Sequence, residues 1–328
     1  MRKIYMLTMS LFVCMGALAG NNGSIGENLK WAFADGTLTI SGTGEMEHAE
    51  GNSGYAWGTD NQSLDRNSIK KIVVEEGVTT LGEYIFWDCE SLTEVKLPKT
   101  LTTLGKECFK KCTALKSITL PDNITLIDES AFEECKALET VTFPKSLKEV
   151  NAQAFYCCNL KKVDLSQTQV ETIGSAAFAQ NAHCEEVYLP KTLKTLEGDG
   201  EGTFSSCGVK KAVCSAVDPP KTIDGGFDYV TLAKKTNPVP WIDIFAGSDE
   251  DFVLEVPAGS VERYKKADGW KNAASHITTG IRGVKAAQAK VGVYDITGKR
   301  YMNHADAQTV STLQHGVYII NGKKVLVK

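Results

Sequence analysis

Leu92-Thr93-Glu94-Val95-Lys96-Leu97-Pro98, Leu115-Lys116-Ser117-Ile118-Thr119-Leu120-Pro121 and Leu138-Glu139-Thr140-Val141-Thr142-Phe143-Pro144 are one phrase written three times. Each reads Leu-x-x-(Val/Ile)-x-(Leu/Phe)-Pro. Each leads to a Phe with a Cys three residues beyond it: Phe109 and Cys112, Phe132 and Cys135, Phe155 and Cys158. The three Phe residues fall 23 apart. A fixed period of this length marks a solenoid, whose coils cannot bury their apolar faces alone and stack into one continuous core.

The phrase extends outward from this stretch. Upstream, Ile69, Ile72 and Val74 fill its apolar places, and Phe86 with Cys89 completes the unit. Downstream, Leu160, Val163 and Leu165 lead to Phe178, with Ser166 in the Pro place and Asn181 in the Cys place. Cys184, Val187, Leu189 and Pro190 lead to Phe204 and Cys207, and the extra residues of that unit lie in 198–202. Val209, Ala212 and Cys214 begin one more unit, which dissolves at Asp218-Pro219-Pro220. The count is six full repeats and a seventh strand, with no period from 221 to 248. Each unit also has a second apolar pair, such as Leu101 and Leu104, or Ile124 and Ile127. The coil therefore has two walls. Parallel strands lie about 4.8 Å apart, so seven rungs span about 29 Å.

The flanks differ. Arg2 and Lys3 precede an apolar run that ends at Ala17-Leu18-Ala19, the layout of a signal peptide over 1–19. That run is too short to span a membrane. Leu11-Phe12-Val13-Cys14 could be a lipoprotein box, but Val13 is bulky where a small residue is wanted. Residues 20–68 read as an N-terminal β cap, with Leu29–Phe33 and Thr37–Ser41 joined by an Asp35-Gly36 turn. Repeats occupy 69–215, and 216–279 form an irregular C-terminal cap. Within it, 252–257 read as a strand and 260–270 as a helix, capped by Ser260 and ended by Gly269. Residues 280–328 are a Gly/Ala/Lys linker followed by a small all-β module, in which Asn321-Gly322 signals a hairpin. The fold class is an α+β leucine-rich-repeat solenoid, a parallel strand stack with β cap, C-terminal cap and β module.

The repeat closely resembles the BspA-like (Treponema-type) bacterial leucine-rich repeat family. The stretch from Trp31 to Gly44 is similar to the segment that often precedes those repeats. The stretch from Val256 to Trp270, with Pro257, Gly259, Tyr264 and Gly269, is similar to their usual exit. Val293-Tyr294-Asp295-Ile296 with Gly298-Lys299, followed by Leu313, Gly316-Val317-Tyr318-Ile319 and a basic tail, resembles the C-terminal sorting module of the type IX secretion system. The resemblance implies a surface-exposed or secreted protein of a family implicated in adhesion to host matrix proteins and other cells. It implies no enzyme, no cofactor, and contact with the secretion machinery through 291–328.

The residues themselves agree with a binding role. Net charge is −4, and no basic run offers a phosphate-binding stripe, so a nucleic-acid partner is not expected. Nine Cys remain beyond the signal segment, an odd number that does not suggest a disulfide framework. The Cys column could suggest metal. Zinc ligands converge on one point, however, whereas a column spreads along the coil, so small buried apolar residues are the better reading. The acids of Glu197-Gly198-Asp199-Gly200-Glu201-Gly202 lack a full calcium ligand set and read as a solvated insertion. His48, His183, His276, His304 and His315 stand in no catalytic motif.

The outward column of the strands is the candidate binding face. It comprises Glu94, Lys96, Ser117, Thr119, Thr140, Thr142, Lys162, Asp164, Glu186, Tyr188, Lys211 and Val213. Tyr188 and Val213 would form an exposed apolar end suited to a protein partner. A plain solvated sheet is the bland alternative. The expected function is that of an exported, non-enzymatic recognition protein for a protein or glycan macromolecule. Alternatives are an envelope structural protein, a subunit of a glycan-capturing surface complex, or a hydrolase hidden in 221–248.

Overall fold

A computed structural model describes residues 22–25, 28–46, 64–198, 202–224, 227–228, 233–234, 243–248 and 250–279, with the strands 293–295, 300–302, 316–320 and 323–327 beyond them. The repeats wind into a solenoid with two walls of short parallel strands. Strands Lys71–Val74, Glu94–Lys96, Ser117–Thr119, Thr140–Thr142, Lys162–Asp164, Glu186–Leu189, Lys211–Cys214 and Val253–Val256 form the first wall, as rungs 1 to 8. The second wall is one eight-stranded parallel sheet running from Gly44–Glu45 to Lys221–Asp224. Leu92, Leu115, Leu138 and Leu160 from the first wall, and Leu104, Ile127, Val150 and Ile173 from the second, are fully buried between them.

A third column closes each coil. Phe86, Phe109, Phe132, Phe155, Phe178 and Phe204 are fully buried and stack ring on ring. Successive centroids are 5.1 to 5.3 Å apart, and from Phe109 onward the rings lie within 8° of parallel. This lies in the range where offset aromatic pairs attract beyond their area burial. The chain bends sharply on either side of each ring. Residues two before and two after it take positive φ, as at Glu107 (54°) and Lys111 (63°), and Gln153 (56°) and Cys157 (55°). A left-handed conformation costs a non-glycine residue about 1–2 kcal/mol. Here it turns backbone N–H groups along the coil axis: Phe109 N donates to Ala131 O at 2.8 Å, and Lys111 N to Glu133 O at 2.8 Å.

The Cys column has a polar task. Cys112, Cys135, Cys158 and Cys207 each donate their thiol to the carbonyl of a Phe one rung back, at 3.1 to 3.3 Å. Asn181, in the Cys place after Phe178, does the same: its amide donates to Phe155 O at 2.9 Å and Phe178 O at 2.8 Å. Its Oδ1 accepts from Leu160 N at 2.9 Å. The column therefore satisfies carbonyls that the turn leaves inside the core. All nine thiols among the described residues are free.

The coil extends further than the repeat count. Strand Lys221–Asp224 continues the second wall beside Thr195–Gly198. Phe245 stacks on Phe204 at 5.6 Å, and Val253–Val256 pairs in parallel with rung 7. The insertion around 225–242 hides this turn in the sequence, because it separates Phe204 from Phe245 without changing what they touch. Strand Ile277–Thr279 then pairs with rung 8.

At the other end, Leu29–Ala34 and Thr37–Gly42 form the expected antiparallel hairpin, with Asp35 and Gly36 both at positive φ. Its second strand pairs in parallel with rung 1 and buries Leu38 and Ile40 on the first coil. The helix near the C-terminal end is shorter than expected, Val261–Lys266. Ser260 makes no side-chain cap; its hydroxyl donates instead to Val217 O at 2.7 Å. Buried Tyr264 and Trp270 likewise donate to Ala216 O and Pro220 O, both at 2.8 Å, so this segment clamps the loop after rung 7. The last four strands form an antiparallel sheet whose Ile320 faces Lys323 across a two-residue connection, as a hairpin there requires. Residues 1–21, with the signal-like run, lie outside the described residues.

Three outcomes follow. Phe132→Ala should lose about 3–5 kcal/mol in urea unfolding, because both neighbouring rings lose a stacking partner. Asn181→Cys keeps a donor for Phe155 O but leaves Leu160 N unpaired, so it should lose about 1 kcal/mol, whereas Asn181→Leu leaves both groups unpaired and should lose roughly 2–3 kcal/mol. Burial pushes the thiols of Cys89 up to about 12 and Cys214 up to about 11. Unfolded thiols ionise near about 8.5, so the folded state holds more protons above that pH. The urea midpoint should therefore fall from about pH 8.5 toward pH 11 and stay flat, as far as the thiols are concerned, below it.

Candidate functional site: the outward face of the first wall

Pleating points Ile72, Ile118, Val163, Val187 and Ala212 into the core, and the residues on either side of each outward. The register then aligns the outward residues in columns. Lys71 stands beside Glu94, Ser117 beside Thr140, and Thr119 beside Thr142. Lys162, Glu186 and Lys211 follow in one line, and Asp164, Tyr188 and Val213 in the next. All twelve candidate residues thus lie on one wall. Glu94, Lys96, Ser117, Thr119, Thr140, Thr142, Lys162 and Asp164 are exposed; Glu186, Tyr188, Lys211 and Val213 are half-buried.

The face has three zones. At rungs 1 and 2, Lys71 pairs with Glu94 at 2.6 Å. At rungs 3 and 4, four hydroxyls form a two-by-two array with no side-chain hydrogen bond among the described residues. At rungs 5 to 8 the charges are tied together. Lys162 pairs with Asp164 at 3.0 Å and reaches Glu186 at 4.0 Å, while its ammonium lies 4.4 Å from the centre of the Tyr188 ring. Lys211 lies 5.9 Å from the same ring and pairs with Glu255 at 3.2 Å. Tyr188 Oη donates to Glu186 Oε2 at 3.1 Å.

The ionisations agree with this wiring. The hydrogen bond to Asp164 raises the Lys162 ammonium above its ordinary value. Burial pushes the Asp164 carboxyl up, but hydrogen bonds from Ser166 and Lys162 outweigh it and hold it below its usual range. Burial, then the bond to Glu186, raises the Tyr188 phenol.

Two expectations change here. Tyr188 and Val213 are not an exposed apolar end: both are half-buried, and ammonium groups lie near the ring. The exposed large hydrophobic side chain among the described residues is Val217, in the loop after rung 7. Glu255 belongs to the same wall, yet the sequence did not offer it. Its strand was legible from alternation, but a register offset of 42 residues from rung 7 concealed that it was a rung.

Beside the face, Glu139, Asn159, Lys161, His183 and Glu185 line a cleft. One fewer residue separates Phe155 from Leu160 than in the neighbouring repeats. His183 Nδ1 is bound to Asn159 Oδ1 at 2.7 Å, and Lys161 to Glu139 at 2.5 Å. No hydroxyl or thiol nucleophile is among the lining residues. Among the described residues no group of three or more His, Cys, Asp or Glu could hold a metal ion, and 199–201 lie outside them. No described helix is long and apolar enough to cross a membrane.

A family model described as "BspA type Leucine rich repeat region" matches residues 59–138 and 103–218, in six copies. Residues 59–218 form a BspA-type leucine-rich repeat region. Among solved structures, this chain is similar to a leucine-rich repeat protein of T. pallidum, at 24% identity over 56% of this chain and 82% of that one, with a TM-score of 0.40. It is similar to a leucine-rich repeat protein from Bacteroides ovatus at 16% identity, covering 70% of each chain, with a TM-score of 0.34. A leucine rich cell surface protein from Faecalibacterium prausnitzii matches at 15% identity over 81% of this chain and 96% of that one, with a TM-score of 0.35. No curated protein sequence matches the chain.

The face is held by its ion pairs as well as by its core. Glu255 has an 8% exposed side chain, and Lys211 is its ion-pair partner. Lys211→Ala should therefore lose roughly 1–3 kcal/mol in urea unfolding. Replacing the pair together, Lys211→Met with Glu255→Leu, should return to within about 1 kcal/mol of the parent, because no buried charge is left unpaired.

Proposed function

We propose that this chain is an exported surface protein that recognises host matrix or cell-surface macromolecules through the outward face of its first wall. The observation that carries this reading is a contrast within each rung. Inward positions repeat Leu, Val, Ile, Phe and Cys, whereas outward positions change from rung to rung. A stacked core fixes the backbone of every outward residue before any ligand arrives, so binding avoids much of the ordering cost. Solenoids use such extended surfaces to bind.

In this reading 1–19 direct export and 20–68 close one end of the repeats of 69–215. Residues 216–279 close the other, and 280–328 carry the sorting signal. The protein acts by binding and is not an enzyme.

The face is tested at its centre, where no ion pair holds the fold. Thr119→Glu with Thr142→Glu should lower binding of the mature protein to immobilised matrix proteins or intact host cells about tenfold or more. Lys148→Glu, at the second wall, should leave it unchanged. Equal binding by all three proteins would remove the face as the site. Deleting 291–328 should leave a folded repeat coil that accumulates in the periplasm; normal surface display of that truncation would remove the sorting role.

A further inference from the structure

The charges of the first wall are unevenly distributed. Across the outward strands and the residue before each, rungs 1 to 5 hold Lys70, Lys71, Lys96, Lys116, Lys161 and Lys162 against Glu94, Glu139 and Asp164. Six cations face three acids there, in a chain whose net charge is −4. All three acids are already engaged: Glu94 with Lys71 at 2.6 Å, Glu139 with Lys161 at 2.5 Å, and Asp164 with Lys162 at 3.0 Å. Lys70, Lys96 and Lys116 are exposed and form no ion pair among the described residues, and Lys96 and Lys116 flank the hydroxyl array. Between and beside them lie the exposed hydroxyls of Ser117, Thr119, Thr140 and Thr142, held in register by two paired strands.

We infer that this patch binds an anionic polysaccharide. The inference rests on the recognition role proposed above and names the ligand class of that face. Sulfate or carboxylate groups of the sugar chain meet the unpaired ammonium groups of Lys96 and Lys116. Sugar hydroxyls meet the four protein hydroxyls, each of which can donate one bond and accept two. A neutral glycan leaves the lysines without partners. An acidic polypeptide satisfies the lysines but has no dense hydroxyls to match the array. Strand spacing places rungs 2 to 4 within about 10 Å, an area suited to a few sugar units. At the C-terminal end of the wall, by contrast, Lys162 and Lys211 are occupied by acids, so that end offers no comparable cation.

The test uses the full mature chain with three immobilised probes: dextran sulfate, unsulfated dextran of matched length, and poly-glutamate. Dextran sulfate should bind best, and its affinity should fall about tenfold as salt rises from about 0.05 to about 0.3 M, because the contacts are exposed. Lys96→Glu with Lys116→Glu should reduce dextran sulfate binding at least tenfold. Lys145→Glu with Lys148→Glu, an equal charge change away from the patch, should alter it less than twofold. Thr119→Val with Thr142→Val should weaken dextran sulfate about threefold or more and leave poly-glutamate unaffected.

Equal losses in the two lysine pairs would overturn the patch. Poly-glutamate binding as well as dextran sulfate, with no effect of the Thr→Val pair, would overturn the polysaccharide. If the Thr119→Glu and Thr142→Glu protein loses cell binding while the Lys96→Glu and Lys116→Glu protein keeps dextran sulfate, the recognition face stands and this ligand class falls. If dextran sulfate binding is lost through Lys96 and Lys116 while cell binding never depended on the face, the ligand class stands and the cellular role falls.

Discussion

The phenylalanine carbonyl is the constraint around which each coil is arranged. The left-handed residues beside the ring turn the chain so tightly that this oxygen points into the core. Two donors meet it where the column is complete. At Phe109 these are the backbone N–H of Cys112 at 3.2 Å and the thiol of Cys135, one rung on, at 3.1 Å. A side chain three residues after the ring must therefore be small, largely apolar and able to donate. Cys meets all three demands, and Asn181 meets the last one better at a greater polar load, which Leu160 N relieves by donating to it. Ring stacking and this hydrogen bond act between the same pairs of rungs, so register is fixed twice over at one edge.

The thiols accordingly act as hydrogen-bond donors and not as cross-links. Stacked parallel rungs aim successive thiols at carbonyls, and burial raises those of Cys108, Cys112 and Cys158 well above the ordinary range. A thiolate is the species that reacts with oxidants or disulfides. Burial thus makes the column inert as well as dry, and Cys157, on the turn, is the half-buried exception. An odd count of cysteines is consistent with this arrangement, because no pairing is involved.

Periodicity made the two walls, the spine and the N-terminal hairpin legible from residues alone, since each depends on neighbours one repeat away. What escaped depends on contacts that ignore sequence distance. Phe245 joins the spine across an insertion, and Ser260 gives its hydroxyl to Val217 instead of capping its own helix. The face was legible in membership but not in state. Alternation named the twelve outward residues, yet whether Tyr188 is bare or covered turns on where Lys162 and Lys211 reach across rungs. Those side chains each had several acids within reach, and only the register and local burial select among them.

This division between core and face explains how one scaffold can carry a local specificity. A substitution among outward residues meets only its column neighbours, so most such changes leave the stack intact. The exception lies where a column becomes a wired network, as from Lys162 through Tyr188 and Glu186 to Lys211 and Glu255. There a side chain is committed to the fold and is less free to serve a ligand. The hydroxyl array of rungs 3 and 4 carries no such commitment. It is rigid because the rungs beneath it are stacked, and it is available because nothing in the described chain uses its donors. Rigidity and vacancy together make a recognition surface, and on this wall they coincide most completely around Ser117, Thr119, Thr140 and Thr142.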